Sequence, residues 1–216
     1  MESGYHGTAH RTGKKVLAMN TASVIKSIGR RAHMRVIGGE LRGKKLQTPA
    51  DESVRPTTDR VKESMFNLIS PYIDDETVVY DIFSGTGGLG IEALSRGAKK
   101  AYFCDKSRES YKLTKENISD CRLGDRAAVS YGDYRKAPED FPEKADLVFL
   151  DPPYGLNLWK KASDSLIEND KLNGGAVLVM EHGTDNPLED LSPKLTLLKE
   201  RKYGYIMVSV YEYNND

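Results

Sequence analysis

No run of about 18 apolar residues occurs anywhere in the 216-residue chain, so nothing in it reads as a membrane-spanning helix. The first residues hold no apolar stretch of the secretory-leader kind, and a cytoplasmic protein is expected. Cysteine is scarce. Cys104 and Cys121 are the only two, their spacing suits neither a zinc site nor a disulfide framework, and they read as small buried hydrophobes in a reducing compartment. The four histidines (His6, His10, His33, His182) show no metal-ligand spacing, and no metal is expected. His182 follows a strand beside Glu181 and reads as structural or solvated. The single tryptophan, Trp159, reads as a packing residue. Internal repeats and low-complexity tracts are absent too. What remains is a globular composition, 38% hydrophobic and 30% charged, enough for one core.

The formal net charge is zero, but the two signs are segregated. Residues 1–62 carry 13 Lys+Arg against 5 Asp+Glu, and the remainder carries 19 against 27. A basic front on an acidic body suits a polyanionic partner gripped by the N-terminal part. For residues 1–33 a solvated basic leader or tag competes with that reading, and the segment, polar and without periodicity, is expected to be disordered. Residues 34–56 form the next unit. Residues 34–37, a Gly38-Gly39 turn and residues 41–47 read as a β-hairpin loaded with Arg35, Arg42, Lys44 and Lys45.

Residues 57–216 form the main domain. Thr57 or Thr58 caps a helix to about residue 69, striped by Val61, Met65, Phe66 and Ile69. Strands at 77–83, 100–104, 127–131, 145–150 and 175–181 then alternate with helices at 89–96, 107–119 and 157–168. This rhythm gives a mostly parallel sheet covered on both faces. The last pair, 195–202 and 205–213, has no helix between its strands and reads as an antiparallel hairpin. An α/β sheet of seven strands closed in this way resembles the class I S-adenosylmethionine-dependent methyltransferase fold, which is Rossmann-like.

Two motifs carry the chemistry. Gly85, Gly87 and Gly90 form G-x-G-x-x-G between a strand and a helix, where glycines allow a sharp turn and close ligand approach. Asp105 ends the next strand and can accept both ribose hydroxyls of a nucleoside cofactor. Nicotinamide enzymes share these features. Three others favour S-adenosylmethionine: Asp81 before the loop can take the methionine amine, Gly132-Asp133 can take the adenine amine, and Asp151-Pro152-Pro153-Tyr154 ends the fourth strand. Phe83, Ser84 and Thr86 in the loop, Lys106 and Ser107 after Asp105, Tyr134 after Asp133, and Thr57 at the mouth complete the expected cofactor site.

The tetrad suits a nucleobase amine. Such an amine is a poor nucleophile because its lone pair is delocalised into the ring. The Asp151 carboxylate and the Pro152 carbonyl, aimed by the fixed φ of proline, can accept its two N–H groups and localise that pair. Pro153 stiffens the turn, and Tyr154 offers a face for base stacking worth about 1–3 kcal/mol. The tetrad does not separate adenine from guanine, or DNA from RNA.

Met34-Arg35-Val36-Ile37-Gly38-Gly39, Arg42-Gly43 and the run Arg55-Pro56-Thr57-Thr58-Asp59-Arg60-Val61-Lys62-Glu63-Ser64-Met65-Phe66-Asn67 resemble the RsmD family of bacterial methyltransferases. The resemblance extends from residue 34 through the glycine loop, residues 151–155 and residues 201–213. It implies methylation of a guanine N2 in 16S ribosomal RNA, position 966, within the 30S subunit or a late assembly intermediate. Residues 1–33 have no counterpart in that pattern, and Asp105 stands where an acidic residue, often Glu, is usual. A monomer is expected. Arg35, Arg42, Lys44 and Lys45 are the expected phosphate contacts. Arg55 is expected at the pocket mouth, and Arg60 on a phosphate or an acidic site residue; for Lys62 a solvated helix face competes. Tyr203 and Tyr205 can stack on RNA, with strand-face packing as the plainer reading. The alternatives are N6-adenine methylation of DNA or RNA, a non-catalytic rRNA-binding assembly factor, and a nicotinamide oxidoreductase.

Overall fold

The apolar runs assemble into one sheet whose order sets where a ligand can sit. In the computed structural model, which describes residues 34–49, 59–153 and 158–215, the strands are β1 (Val78–Asp81), β2 (Lys100–Asp105), β3 (Ala127–Tyr131), β4 (Ala145–Leu150), β5 (Leu172–Gly183), β6 (Leu195–Tyr203) and β7 (Ile206–Tyr213). Their order is β3-β2-β1-β4-β5-β7-β6. Neighbours from β3 to β5 pair in parallel, and β7 runs antiparallel to both β5 and β6. The expected parallel sheet with a closing hairpin is therefore present. The expected start of the main domain at Thr57 and the leader 1–33 lie outside the described residues.

Helices cover both faces. On one side α1 (Asp59–Ile69), α2 (Gly88–Ser95) and α3 (Arg108–Asp120) pack Met65, Phe66, Ile91, Leu94 and Ile118 against Val79, Phe103, Leu147 and Phe149. On the other side, the short α4 (Ala137–Asp140) and α5 (Leu158–Glu168) border a core of Tyr80, Tyr102, Phe141, Val148, Leu150, Trp159 and Leu166. Alternate residues of β1 and β4 thus face different cores, and both strands are buried through nearly their whole length, as central parallel strands are. The helix after β1 lies on one face and the helix after β4 on the other. Between two such neighbouring strands the chain splits apart, and the crevice beyond their carboxyl ends is where open α/β sheets bind ligands. Both sequence motifs lie on that crevice.

The expected N-terminal hairpin is a short one. Arg35 and Lys45 form a single bridge, continued by Val36 N–H donating to the Lys44 carbonyl and Leu46 N–H to that of Met34, each at 2.9 Å. Its turn is fixed by contact with α2. Gly39 has φ +72°, and a Cβ there would sit 1.7 Å from the Ser95 carbonyl oxygen. Buried Glu92 of α2 accepts from the Ile37 and Gly38 N–H groups, both at 2.7 Å, and pairs with Arg96 at 2.8 Å and Lys62 at 3.3 Å. Lys62 is therefore not on a solvated helix face. It is 2% exposed and also donates to the Arg35 carbonyl; burial lowers its pKa, and Glu92 opposes that shift.

His182 lies inside β5, which runs to Gly183 and so exceeds the expected strand. It is 4% exposed, with Nε2 2.9 Å from Ser209 Oγ. No described helix is long and apolar enough to cross a membrane.

Candidate active site

The glycine loop leaves β1 at Asp81 and enters α2 at Gly88. Gly85 (φ +55°) and Gly87 (φ +78°) supply the left-handed conformations that the turn requires. Gly90 serves packing instead: a Cβ there would lie 2.3 Å from Cε1 of Phe103 on β2. Three of the loop's N–H groups are already engaged. Gly85 N–H donates to Asp105 Oδ2 at 2.8 Å, Gly87 N–H to the Ser84 carbonyl at 2.6 Å, and Gly90 N–H to Asp81 Oδ2 at 3.0 Å. A dinucleotide enzyme leaves such groups free for pyrophosphate. Here a pyrophosphate would have to displace two carboxylates, so the nicotinamide alternative fits poorly.

Asp105 closes β2 and faces the loop, as its spacing suggested. Its Oδ1 accepts from Ser107 N–H at 2.8 Å, and Ser107 caps α3 by accepting from Ser110 N–H at 3.3 Å. The remaining lone pairs of Asp105 can take ribose hydroxyls. Lys106 is exposed at this corner. Gly132 N–H donates to the Asp105 carbonyl at 3.1 Å, which brings the end of β3 to the same rim. Asp133 there is held by Arg135, whose N–H and Nε lie 3.0 and 3.1 Å from Oδ1. Arg135 keeps the Asp133 carboxyl below the usual carboxylate range. Phe83 and Tyr134 are half-buried with ring centroids 6.3 Å apart.

Asp151 follows β4. In the sheet register Asp81 pairs with Phe149, and Ile82 N–H donates to the Phe149 carbonyl at 3.3 Å. Asp151 therefore emerges level with the start of the glycine loop. It is only partly exposed, Pro152 is buried and Pro153 exposed. Burial raises the Asp151 pKa well above the ordinary carboxylate range, and the nearby charges of Glu181 and Asp81 add to the rise. Asp81 is 2% exposed; burial pushes it up to about 7, opposed by the Gly90 N–H and helped by Asp105. Asp81 and Asp151 thus sit at the tips of adjacent strands, and close carboxylates resist ionising together. A sulfonium with an ammonium group supplies the opposing charge, so the acids present fit S-adenosylmethionine.

Thr57, Arg55 and Tyr154 lie outside the described residues. Arg35, Arg42, Lys44, Lys45 and Arg60 are exposed. Arg35 pairs with Asp59 at 2.8 Å, and the other four make no ion pair among the described residues.

Sequence reasoning missed the groups that hold the loop from below. Thr114 and Asn117 of α3 are fully buried. Thr114 Oγ1 donates to the Gly85 carbonyl at 3.0 Å and lies 3.3 Å from Ser84 Oγ. Asn117 Nδ2 donates to the carbonyls of Thr86 at 2.9 Å and Gln47 at 3.1 Å, while its Oδ1 accepts from Gln47 N–H at 2.7 Å. Thr86 Oγ1 lies 3.0 Å from Met34 Sδ. The sequence presents Glu181 only as the neighbour of His182, and a lone acid closing the apolar run 176–180 is the available signal. Cys104 is buried, and burial pushes its thiol up to about 12, which makes it inert.

A family model described as Conserved hypothetical protein 95 matches residues 34–212. Ribosomal RNA small subunit methyltransferase D of Haemophilus influenzae is 37% identical over 193 residues, 87% of this chain and 98% of that relative. The solved structure of yhhF from Escherichia coli superposes with a TM-score of 0.76 at 31% identity, over 85% of this chain and 99% of that one. An RNA methyltransferase from Salinibacter ruber, in complex with S-adenosyl-L-homocysteine, shares the fold at a TM-score of 0.59 and 20% identity, over 75% of this chain and 95% of that one. The fold is that of the class I S-adenosylmethionine-dependent methyltransferases.

Proposed function

The chain belongs to the Conserved hypothetical protein 95, or RsmD, family, and from that premise we propose that it methylates the exocyclic amine of a base in small-subunit ribosomal RNA. The base is a guanine, methylated at N2 at position 966 of 16S rRNA, presented by the 30S subunit or a late assembly intermediate to a cytoplasmic monomer. The observation that carries this reading is the level placement of Asp151-Pro152 and the glycine loop on the two sides of the β1–β4 crevice.

S-adenosylmethionine would supply an activated methyl group and positive charge beside Asp81 and Asp151. Asp105 holds the loop through Gly85 N–H and has lone pairs left for the ribose. Asp81, beneath the loop, places negative charge under the cationic end of the cofactor. Asp151 and the Pro152 carbonyl accept the two N–H groups of the target amine and turn its lone pair toward the methyl carbon. The methylated amine would have a proton to lose, and Asp151, ionised when the cofactor's positive charge lies beside it, would be the adjacent acceptor. Holding the two reactants in line provides most of the acceleration.

N6-adenine methylation would use the same acceptors, because they read only an amine. The name carried by the Haemophilus influenzae relative, a small-subunit rRNA methyltransferase, favours rRNA. The decisive experiment is methyl transfer to 30S particles from a strain lacking the gene, with the product nucleoside identified by mass spectrometry. N2-methylguanosine is expected, and N6-methyladenosine in its place would overturn the guanine reading. The Asp151→Ala variant should bind rRNA normally and transfer no methyl; normal turnover by that variant would refute the mechanism.

A further inference from the structure

β7 is antiparallel to β5, with Ile206 opposite Gly183. The β6–β7 turn therefore projects from the same edge of the sheet as the glycine loop and Asp151. It is a two-residue turn, Gly204-Tyr205, with Gly204 at φ +64°, the glycine-first arrangement that suits tight hairpins. The turn is anchored. Tyr203 and Ile206 are half-buried against the core beside α1, and Thr184 N–H donates to the Tyr205 carbonyl at 3.0 Å, tying the tip to the end of β5.

On this anchored tip the Tyr205 side chain is 84% exposed. Its ring and hydroxyl have no partner among the described residues. Tyr131, the other strongly exposed tyrosine among the described residues, differs in packing on Tyr111 with centroids 5.6 Å apart. Strand-face packing, the plainer expectation for Tyr205, does not occur. Arg201 and Lys202 are exposed on the strand leading into the turn, without an ion pair among the described residues. Asp185 on the adjoining turn is the exposed acid nearest in sequence to Thr184, and Glu200 is turned toward Ser209 at 2.8 Å.

An exposed aromatic side chain on an anchored turn, preceded by two exposed cations and close to the proposed base site, has the makings of a single-strand contact. We propose that the β6–β7 tip is an RNA-binding element, in which Tyr205 stacks on a base next to the target nucleotide while Arg201 and Lys202 meet the phosphates on either side of it. This rests on the reading of the protein as an rRNA methyltransferase.

The test compares Tyr205→Ala, Tyr205→Trp and Asp151→Ala with the unaltered protein on 30S particles and on an rRNA fragment. The tip is solvent-exposed, so the Tyr205 variants should fold and bind S-adenosylmethionine unchanged by calorimetry. Tyr205→Ala should bind RNA about tenfold more weakly, within the range for one base–aromatic stack, with KM for RNA raised and KM for the cofactor unmoved. Tyr205→Trp should restore RNA binding, and its indole emission should be quenched on adding RNA. If Tyr205→Ala binds RNA as the unaltered protein does, or the indole emission is indifferent to RNA, the proposal is wrong while the methyltransferase reading stands. If the unaltered protein transfers no methyl and Tyr205→Ala still weakens RNA binding, the methyltransferase reading fails and the contact survives.

Discussion

Asp81 should make the cofactor-free protein lose stability as pH rises toward neutrality. Its carboxyl is 2% exposed, and the hydrogen bond from Gly90 N–H at 3.0 Å does not offset burial, so its pKa moves from 3.8 to about 7. In the unfolded chain the proton leaves near the ordinary value, whereas in the folded protein it is retained until about pH 7. Between those limits the unfolded state binds fewer protons, so stability falls with pH. The contribution is complete below about pH 4 and is lost as pH rises through the folded value. The expected slope is about 1.4 kcal/mol per pH unit, and the full span reaches at most about 4 kcal/mol. Asp81→Asn removes the titration and keeps an oxygen for the Gly90 N–H. Urea unfolding of both proteins at several pH values from about 4.5 to 8.5 gives the difference directly. Asp151 is raised in the same sense, in part by the Asp81 charge, so Asp81→Asn also lessens that rise and adds to the difference in the same direction. The Asn variant should gain on the unaltered protein with rising pH and level off near 7. A difference independent of pH would refute the account. The same titration predicts that S-adenosylmethionine binds more tightly as Asp81 ionises, and that Asp81→Asn binds it weakly with a flatter pH profile by calorimetry.

The basic segment gives a second test: changing Arg42, Lys44 and Lys45 together to Gln should lower the slope of log affinity for RNA against log salt by about 2 to 3. An unaltered slope would mean that the hairpin does not touch the RNA. A third concerns the loop support. Asn117→Ala leaves the Thr86 carbonyl and both backbone groups of Gln47 without their partner, which should cost about 2–4 kcal/mol in urea unfolding and raise KM for the cofactor more than it lowers kcat. Unchanged unfolding would show that α3 does not brace the loop.

What the sequence disclosed was whatever the local backbone dictates. Gly85 and Gly87 declare themselves because their positive φ excludes most other residues, and Asp151-Pro152-Pro153 because its rigidity is written in two adjacent prolines. The parallel strands were legible as apolar runs bounded by turns, and the closing hairpin as two strands with nothing helical between them. The hidden features depend on what the chain meets at long range. On a helix, Thr114 and Asn117 look like ordinary polar surface, and only the approach of residues 84–86 and Gln47 turns them inward. Lys62 and Glu92 look solvated until both are buried against each other. Tyr205 looked like strand because its neighbours are strand, whereas the turn falls at that position and frees its ring. These hidden contacts have one consequence. Glu92 holds Ile37 and Gly38, Met34 touches Thr86, and Asn117 holds Gln47 and Thr86 together. The basic segment and the glycine loop are therefore one packed unit.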